Sequence, residues 1–121
     1  MKIVYNLRIE INQHYIYFIL TKLDEPLEYI YKNKMDLTTI INKLELNPLK
    51  YSNLELILKI IDNLYKRNKI YININDENSC NLLFKLTNTF DEDFMSDIKI
   101  YKEYMNNNDI IMINLMNYLV K

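Results

Sequence analysis

The chain has 121 residues and not one of them is glycine; alanine is absent as well. Glycine-rich loops bind phosphate groups because a residue without Cβ lets the backbone approach the ligand closely. A phosphate-binding loop of the P-loop or dinucleotide-binding type therefore cannot form in this chain. Nucleotide-dependent chemistry through those two motifs is excluded.

A codon bias explains the missing residues. Ile, Asn, Lys and Tyr together make up 61 of 121 residues (19, 18, 13 and 11), and their codons consist almost entirely of A and T. Residues with GC-rich codons are scarce, since there are only two Pro and two Arg. This composition is typical of a very AT-rich genome, such as those of some intracellular parasites, symbionts and viruses. The numerous Asn and Lys residues consequently say little about chemistry.

Length and charge favour one globular domain over residues 1–121. Half of the residues are hydrophobic, which excludes a disordered tail. The net charge is -1 with the two signs interspersed, and the lack of a basic run argues against a nucleic-acid-binding protein. The longest nearly apolar run, residues 110–120, is too short to span a bilayer. A single cysteine, Cys80, and an N-terminus unlike a signal peptide indicate a cytoplasmic or nuclear protein.

Alternating residues at the start of the chain predict a β-hairpin. In residues 2–11, apolar side chains occupy every second position, which is typical of a half-buried strand. Residues 14–20 are β-rich and apolar on both faces, so they predict a second, more buried strand. Asn12 and Gln13 between them suit a tight turn, since Asn tolerates the left-handed conformation.

Helical spacing dominates the rest of the chain. In several segments a residue that can cap a helix precedes apolar residues three and four positions apart. The predicted helices cover residues 24–34, 52–67, 76–90, 91–105 and 109–120, and residues 69–74 form a short extended stretch. The strongest of these helices is capped by Ser52, and Leu58 and Ile61 lie in the middle of its apolar stripe.

Residues 36–46 fit two structures. Asp36 could cap a helix that runs to Leu44, or residues 40–46 could form a short strand with Leu44 and Leu46 on one face. The pattern does not distinguish them.

No set of residues for catalysis or metal binding emerges. His14 is the only histidine and Cys80 the only cysteine, and they lack the spacing of a metal site. The acidic run at residues 91–93 could bind a cation, but the helix dipole explains it as the first turn of a helix. The tyrosines could stack on bases, yet without a basic field they fit core and rim better. We therefore expect no enzymatic activity, cofactor, metal or small-molecule substrate, and we expect a protein that binds other proteins.

The last predicted helix, residues 109–120, is apolar on nearly all of its faces. Met112, Met116 and Leu119 lie outside the stripe that would face inward. A terminal helix of this kind must be covered on more than one side. Two explanations stay open: burial in the chain's own core, or an interface with a partner or a second copy.

Three segments together resemble the BTB/POZ superfamily. The first segment, residues 14–33, leads from a predicted strand into a helix. The second, residues 43–65, combines a short strand, a Pro-containing turn and a long helix. The third, residues 78–98, combines an apolar helix, an Asn, an Asp and another helix. Within the superfamily the chain looks most like the Skp1 and elongin C branch of ubiquitin-ligase adaptors. The resemblance implies an α+β fold with an N-terminal β-hairpin plus a short third strand, packed with about five helices.

The resemblance also implies a function. It implies a non-catalytic adaptor of a ubiquitin-ligase complex, with a cullin-type scaffold on one face and a receptor's helix on another. By position, the scaffold face would include Asn88, Thr89 and Asp91. Thr89 stands where cullin-binding members usually have an aromatic residue, which is a departure from the family. The receptor face would comprise the C-terminal helices, with Tyr101, Met112, Met116 and Leu119.

Two alternatives belong to other classes. A winged-helix DNA-binding protein would use residues 36–46 and 52–67 as helix–turn–helix and residues 69–74 as part of the wing. Its recognition helix would carry few cations, which Glu55 and Asp62 oppose, whereas a phosphate-facing helix should be more basic. A helix rather than a strand at residues 40–46 would favour this alternative. The second is a lineage-specific factor of a parasite or virus, bound to a large assembly or a host protein.

Overall fold

Six strands and two helices make up the described part of the chain. The computed structural model describes residues 5–22, 29–74, 78–88 and 90–104. In chain order, the elements are β1 (Tyr5–Ile11), β2 (Tyr15–Lys22), β3 (Tyr29–Asp36), α1 (Leu37–Lys43), α2 (Leu54–Lys66), β4 (Ile70–Ile74), β5 (Ser79–Thr87) and β6 (Asp93–Tyr104).

All six strands belong to one antiparallel sheet in the order β1-β2-β3-β6-β5-β4. The first three strands form a meander, and the last three form a second one. Pairing of β3 with β6 joins the two halves, with Lys32 opposite Tyr101. Beyond this pair the Asn33 carboxamide donates to the Lys99 carbonyl oxygen over 2.7 Å, so a side chain continues the connection between the two strands.

The predicted α+β fold with about five helices is wrong. The structure is mostly antiparallel sheet, and its described residues contain two helices. Residues 29–34, predicted to be helical, belong to β3, and the predicted helices over residues 76–90 and 91–105 contain β5 and β6 instead. The N-terminal hairpin of β1 and β2 is confirmed, and so is the extended stretch that becomes β4. Predicted helix 109–120 lies outside the described residues.

The error at β5 has a physical reason. Cys80, Leu82, Phe84 and Leu86 are buried on one face, which is the two-residue period of a strand. Leu82 and Leu86 are also four residues apart, a spacing that suits a helix equally well. Because Leu83, on the opposite face, is apolar too, the alternation is blurred in the sequence. Pairing with β4 and β6 decides the structure of this segment.

The sheet curls around its core. In a flat sheet β2 and β5 would be about 14 Å apart, because two strands separate them and neighbours lie about 4.8 Å apart. Yet the ring centroids of Phe18 on β2 and Phe84 on β5 are 6.0 Å apart, in an edge-to-face arrangement. Both side chains are fully buried. The sheet is therefore a curled half-barrel whose concave face closes on its own side chains.

Helices α1 and α2 lie on this concave face. Buried side chains of α1 (Ile40, Ile41) and α2 (Leu54, Ile57, Ile61) join the same hydrophobic cluster as the strands. Of the two structures considered for residues 36–46, the helix capped by Asp36 is the one observed, over residues 37–43. Asp36 caps α1 by accepting a hydrogen bond from the Thr39 N–H (2.8 Å), and the bonds from Thr39 lower the pKa of its carboxyl.

The cap of α2 differs from the prediction by one residue. Asn53, not Ser52, accepts from the backbone N–H of Leu56 over 3.0 Å. The two residues predicted to lie in the middle of the apolar stripe differ in burial. Ile61 is fully buried, whereas Leu58 is only half-buried.

Without glycine, the chain ends its helices with other residues in the left-handed conformation. Glu45 has φ 51° and Asn68 has φ 58°, each just beyond a helix. After α1, Leu46 N–H donates to the Ile41 carbonyl, and after α2, Lys69 N–H donates to the Leu64 carbonyl. These are the bonds of a Schellman motif, whose left-handed position is usually glycine. The absence of glycine therefore leaves backbone strain at two helix ends.

We expect Glu45→Gly to stabilise the protein by about 0.5–1 kcal/mol. A left-handed φ costs an L-residue about 1–2 kcal/mol, which glycine avoids. The conformational entropy that glycine loses on folding offsets part of this gain. Asn68→Gly should gain less, since Asn tolerates this conformation better. Urea unfolding measures both changes. As a control, Lys59→Gly, at an exposed position in the middle of α2, should lose about 1 kcal/mol. A loss of stability in Glu45→Gly would show that the left-handed φ of Glu45 does not strain the backbone.

Candidate functional site

The two residues suited to covalent chemistry lie in different surroundings. Cys80 is fully buried on the concave face of β5, and burial raises the pKa of its thiol to about 11. His14 is exposed in the turn between β1 and β2. A nucleophilic thiolate needs access and a neighbouring base, and Cys80 has neither a solvent-facing sulfur nor the imidazole at hand. Within the described residues no group of three His, Cys, Asp or Glu could hold a metal ion.

A cleft of about 640 Å³ lies between the β1–β2 turn and the start of α2. Its lining is mixed, and its titratable members are His14 and Glu55. The carboxamide oxygen of Asn12 already accepts from the His14 and Tyr15 N–H groups, and that of Asn53 caps α2. Both oxygens accept hydrogen bonds from backbone N–H groups that are close in sequence. Two of the polar groups that line the cleft are therefore already engaged within the fold.

Two of the three predicted scaffold-face residues, Asn88 and Asp91, lie in the tight turn between β5 and β6. The Asn88 side-chain oxygen accepts from the N–H groups of Phe90 (2.8 Å) and Glu92 (3.0 Å), and Asp91 adopts φ 57°. Asn88 and Asp91 are thus brought together, but the bonds of Asn88 stabilise the turn itself. Thr89 lies outside the described residues.

The structure separates this turn from Tyr101. Asp93, which pairs with Thr87 beside the turn, and Tyr101 lie eight residues apart on β6, about 27 Å at the rise of a strand. Tyr101 is 52% exposed on the convex face of a strand, so its predicted place in a C-terminal helix is wrong. Met112, Met116 and Leu119 lie outside the described residues. No single surface of the described residues therefore unites the predicted positions.

The convex face, opposite the helices, carries tyrosine and lysine side chains in its middle. Lys34 Nζ lies 4.4 Å from the ring centroid of Tyr15, and Lys32 Nζ lies 5.3 Å from that of Tyr17. Asp36 is opposite Tyr15, and Glu10 is opposite Tyr17 in the neighbouring strand. With both charge signs interspersed, this face lacks the positive field that a nucleic-acid surface requires.

The edge strand β4 has the strongest features of a binding surface. It is the last strand of the sheet that the described residues form, and its sequence, Ile70–Ile74, contains no charged residue and no proline. Tyr71 is 46%, Ile72 38% and Ile74 44% exposed. Natural edge strands usually carry a charge, a proline or a bulge that prevents pairing with another chain. The extended stretch was predicted from the sequence, but its place at the edge was not, because strand order is not encoded in periodicity.

The backbone of β4 presents hydrogen-bonding groups outward. Lys85 N–H donates to the Lys69 carbonyl over 2.9 Å, so residue 69 directs its polar groups toward β5. In an antiparallel ladder this direction alternates with each residue. Tyr71 and Asn73 therefore also face β5, while Ile70, Ile72 and Ile74 direct N–H and C=O groups away from it. Among the described residues no strand pairs with that side.

The opposite edge of the described sheet, β1, carries charge, whereas β4 does not. It carries Arg8 and Glu10, whose side chains form an ion pair of 2.9 Å. Helix α2 also packs against β1 and β2. Charged side chains are one way in which proteins prevent pairing at an edge. The contrast singles out β4 as the candidate site.

Comparison with protein-family models, curated proteins and solved structures gives no match. The resemblance to the BTB/POZ superfamily therefore stays a prediction. In the part of the chain that the structure describes, neither helix has the length and apolar character needed to cross a membrane.

Proposed function

We propose that this protein is a non-catalytic protein-binding module that receives an extended segment of a partner at β4. The observation that carries the proposal is an uncharged edge strand with outward backbone groups and exposed apolar side chains. A peptide added to such an edge continues the sheet: backbone hydrogen bonds supply affinity, and alternate side chains supply specificity. The binding function agrees with the adaptor predicted from the sequence, but the binding element is a strand rather than a helix.

The chemistry of the described residues supports binding rather than catalysis. The thiol of Cys80 is buried with a raised pKa, and the side-chain oxygens of Asn12 and Asn53 in the cleft accept hydrogen bonds from local backbone groups. A single buried cysteine also suits the reducing interior of a cell, so a cytoplasmic or nuclear location is part of the proposal. A cullin-type scaffold with a receptor helix stays a prediction from the resemblance, as does a parasite or viral factor in a larger assembly.

The winged-helix alternative receives one supporting observation. Residues 37–43 are helical, as it requires. However, residues 44–53 separate α1 from α2, a connection longer than the three or four residues of a helix–turn–helix. On α2, Asp62 pairs with Lys66 over 2.9 Å, which reduces the positive charge available to phosphate. DNA binding is therefore the weaker proposal.

A synthetic peptide tests strand addition at β4. The probe carries the sequence of residues 69–74 with a lysine tag for solubility, titrated to about 1 mM into the ¹⁵N-labelled protein, a range that detects weak binding. We expect chemical-shift changes and slower amide exchange at Ile70, Ile72 and Ile74. The same peptide, N-methylated at the positions of Tyr71 and Ile72, should not bind. These two residues direct their N–H groups to opposite edges of the peptide strand, so each edge loses a hydrogen-bond donor.

A protein variant provides the matched control. In Ile72→Pro the lost N–H is one that points away from β5, so the sheet itself keeps its bonds. This variant should stay folded and lose peptide binding. Binding that survives either N-methylation or Ile72→Pro, or no binding by the unmodified peptide, contradicts the proposed function.

A further inference from the structure

We propose that the partner segment at β4 is the β4 strand of a second copy, which joins two sheets into one across a twofold axis at Ile72. This inference rests on the proposed function and names its partner. Three features of β4 carry it: its side-chain pattern, the direction of its backbone groups and its lack of charge.

The first feature is the side-chain pattern. The sequence of Ile70–Ile74 reads nearly the same in both directions, with isoleucine at positions 70, 72 and 74. In an antiparallel pair centred on Ile72, Ile70 lies opposite Ile74 of the other copy, and Tyr71 lies opposite Asn73. Isoleucine then meets isoleucine on the concave face. A register shifted by one residue would place isoleucine opposite Asn or Tyr and break this row.

The second feature is the direction of the backbone groups. In the register centred on Ile72, residues 70, 72 and 74 all fall in hydrogen-bonded pairs. These are the residues whose N–H and C=O groups point away from β5. The two strands can thus form about six hydrogen bonds. The register that matches the side chains is therefore also the register that pairs the backbone.

The third feature is the absence of charge. In a twofold pair the central residue faces its own copy and its two neighbours lie about 8 Å from theirs, so a charged residue at these positions would be repelled by its copy. β4 contains none. A strand such as β1, with Arg8 and Glu10, would not have this property. Five residues per copy make a small interface, and such interfaces are weak; we expect a dimer in the range of about 1–100 μM.

Sedimentation of the full chain tests the inference. From about 1 to about 300 μM, the wild type should shift from monomer to dimer, and Ile72→Pro should weaken dimerisation by more than about tenfold. Ile72→Thr, which keeps the N–H and the β-branched shape, should dimerise better than Ile72→Pro. Circular dichroism is used to check that both variants are folded.

Cross-linking tests the register. In a Cys80→Ala background, Ile72→Cys places two thiols across the axis, where Cα atoms of a hydrogen-bonded pair are about 5.5 Å apart, within disulfide range. Mild oxidation should join this variant into a covalent dimer. Asn73→Cys should not cross-link, because its two copies would lie about 8 Å apart.

The outcomes separate this inference from the proposed function. Peptide binding by a chain that stays monomeric overturns the second copy and leaves strand addition in place. Open-ended polymers would indicate pairing of β4 with β1, which does not close, and would also overturn it. A dimer that Ile72→Pro leaves intact places the interface elsewhere and overturns the edge. A dimer that cross-links at residue 73 rather than 72 keeps the edge and overturns the register centred on Ile72.

Discussion

Phe18→Ala and Phe84→Ala are each expected to lower the free energy of unfolding by about 3–5 kcal/mol, which is the usual cost of removing a fully buried phenylalanine. The two rings meet edge to face at 6.0 Å, although their strands are not neighbours in the sheet. Each substitution thus opens a cavity where the two halves of the curled sheet touch. Urea unfolding followed by circular dichroism gives the stabilities.

A double-mutant cycle isolates the ring contact. With Leu in place of Phe, which keeps most of the volume, the two positions should be coupled by about 0.5–1.5 kcal/mol. Phe90→Ala is the matched control: Phe90 is 81% exposed, so its loss should change stability by less than about 0.5 kcal/mol. Additive effects at positions 18 and 84 would show that the rings do not touch, and the curl of the sheet would have to be reconsidered.

Ile61→Ala should destabilise the protein by about 2–5 kcal/mol, and Leu58→Ala clearly less, by about 1–2 kcal/mol. The sequence places both residues in the middle of the apolar stripe of α2 and predicts equally strong effects. In the structure, Ile61 is fully buried against the sheet, whereas Leu58 is half-buried beside Leu7 and Ile9 of β1.

Ile57→Ala provides a second buried position on the same helix and should resemble Ile61→Ala. Because all three changes replace an apolar side chain by the same good helix former, helix propensity is held nearly constant. Thermal or urea unfolding ranks the variants. Equal effects of Leu58→Ala and Ile61→Ala would mean that α2 is covered on a second side.

The sequence predicted the features that depend on local rules. The alternation in residues 2–11 and 14–20 correctly gave the first hairpin, and the stripe around Ile57 and Ile61 correctly gave α2. Asp36 was a correct cap for one of the two structures considered for residues 36–46. In each case the period or the cap has a meaning that neighbouring residues alone determine.

The β5–β6 hairpin shows where local rules failed. Acids at residues 91–93 suggested the start of a helix, yet Asp91 occupies a left-handed turn position and Asp93 begins β6. Apolar residues two and four apart satisfy both periods, so the sequence could not decide between them. The fold inferred from the BTB/POZ resemblance failed here for the same reason, since it relied on reading this segment as helical.

By itself, the sequence determined the absence of glycine-rich phosphate loops, the first hairpin and the apolar face of α2, because composition and short-range periodicity are properties of the chain alone. Only the tertiary structure decided that residues 79–87 and 93–104 are strands, that Phe18 meets Phe84, and that β4 lies at the edge of the described sheet. These features depend on which strands become neighbours. Strand order follows from burying the whole apolar surface at once, so no local pattern records it.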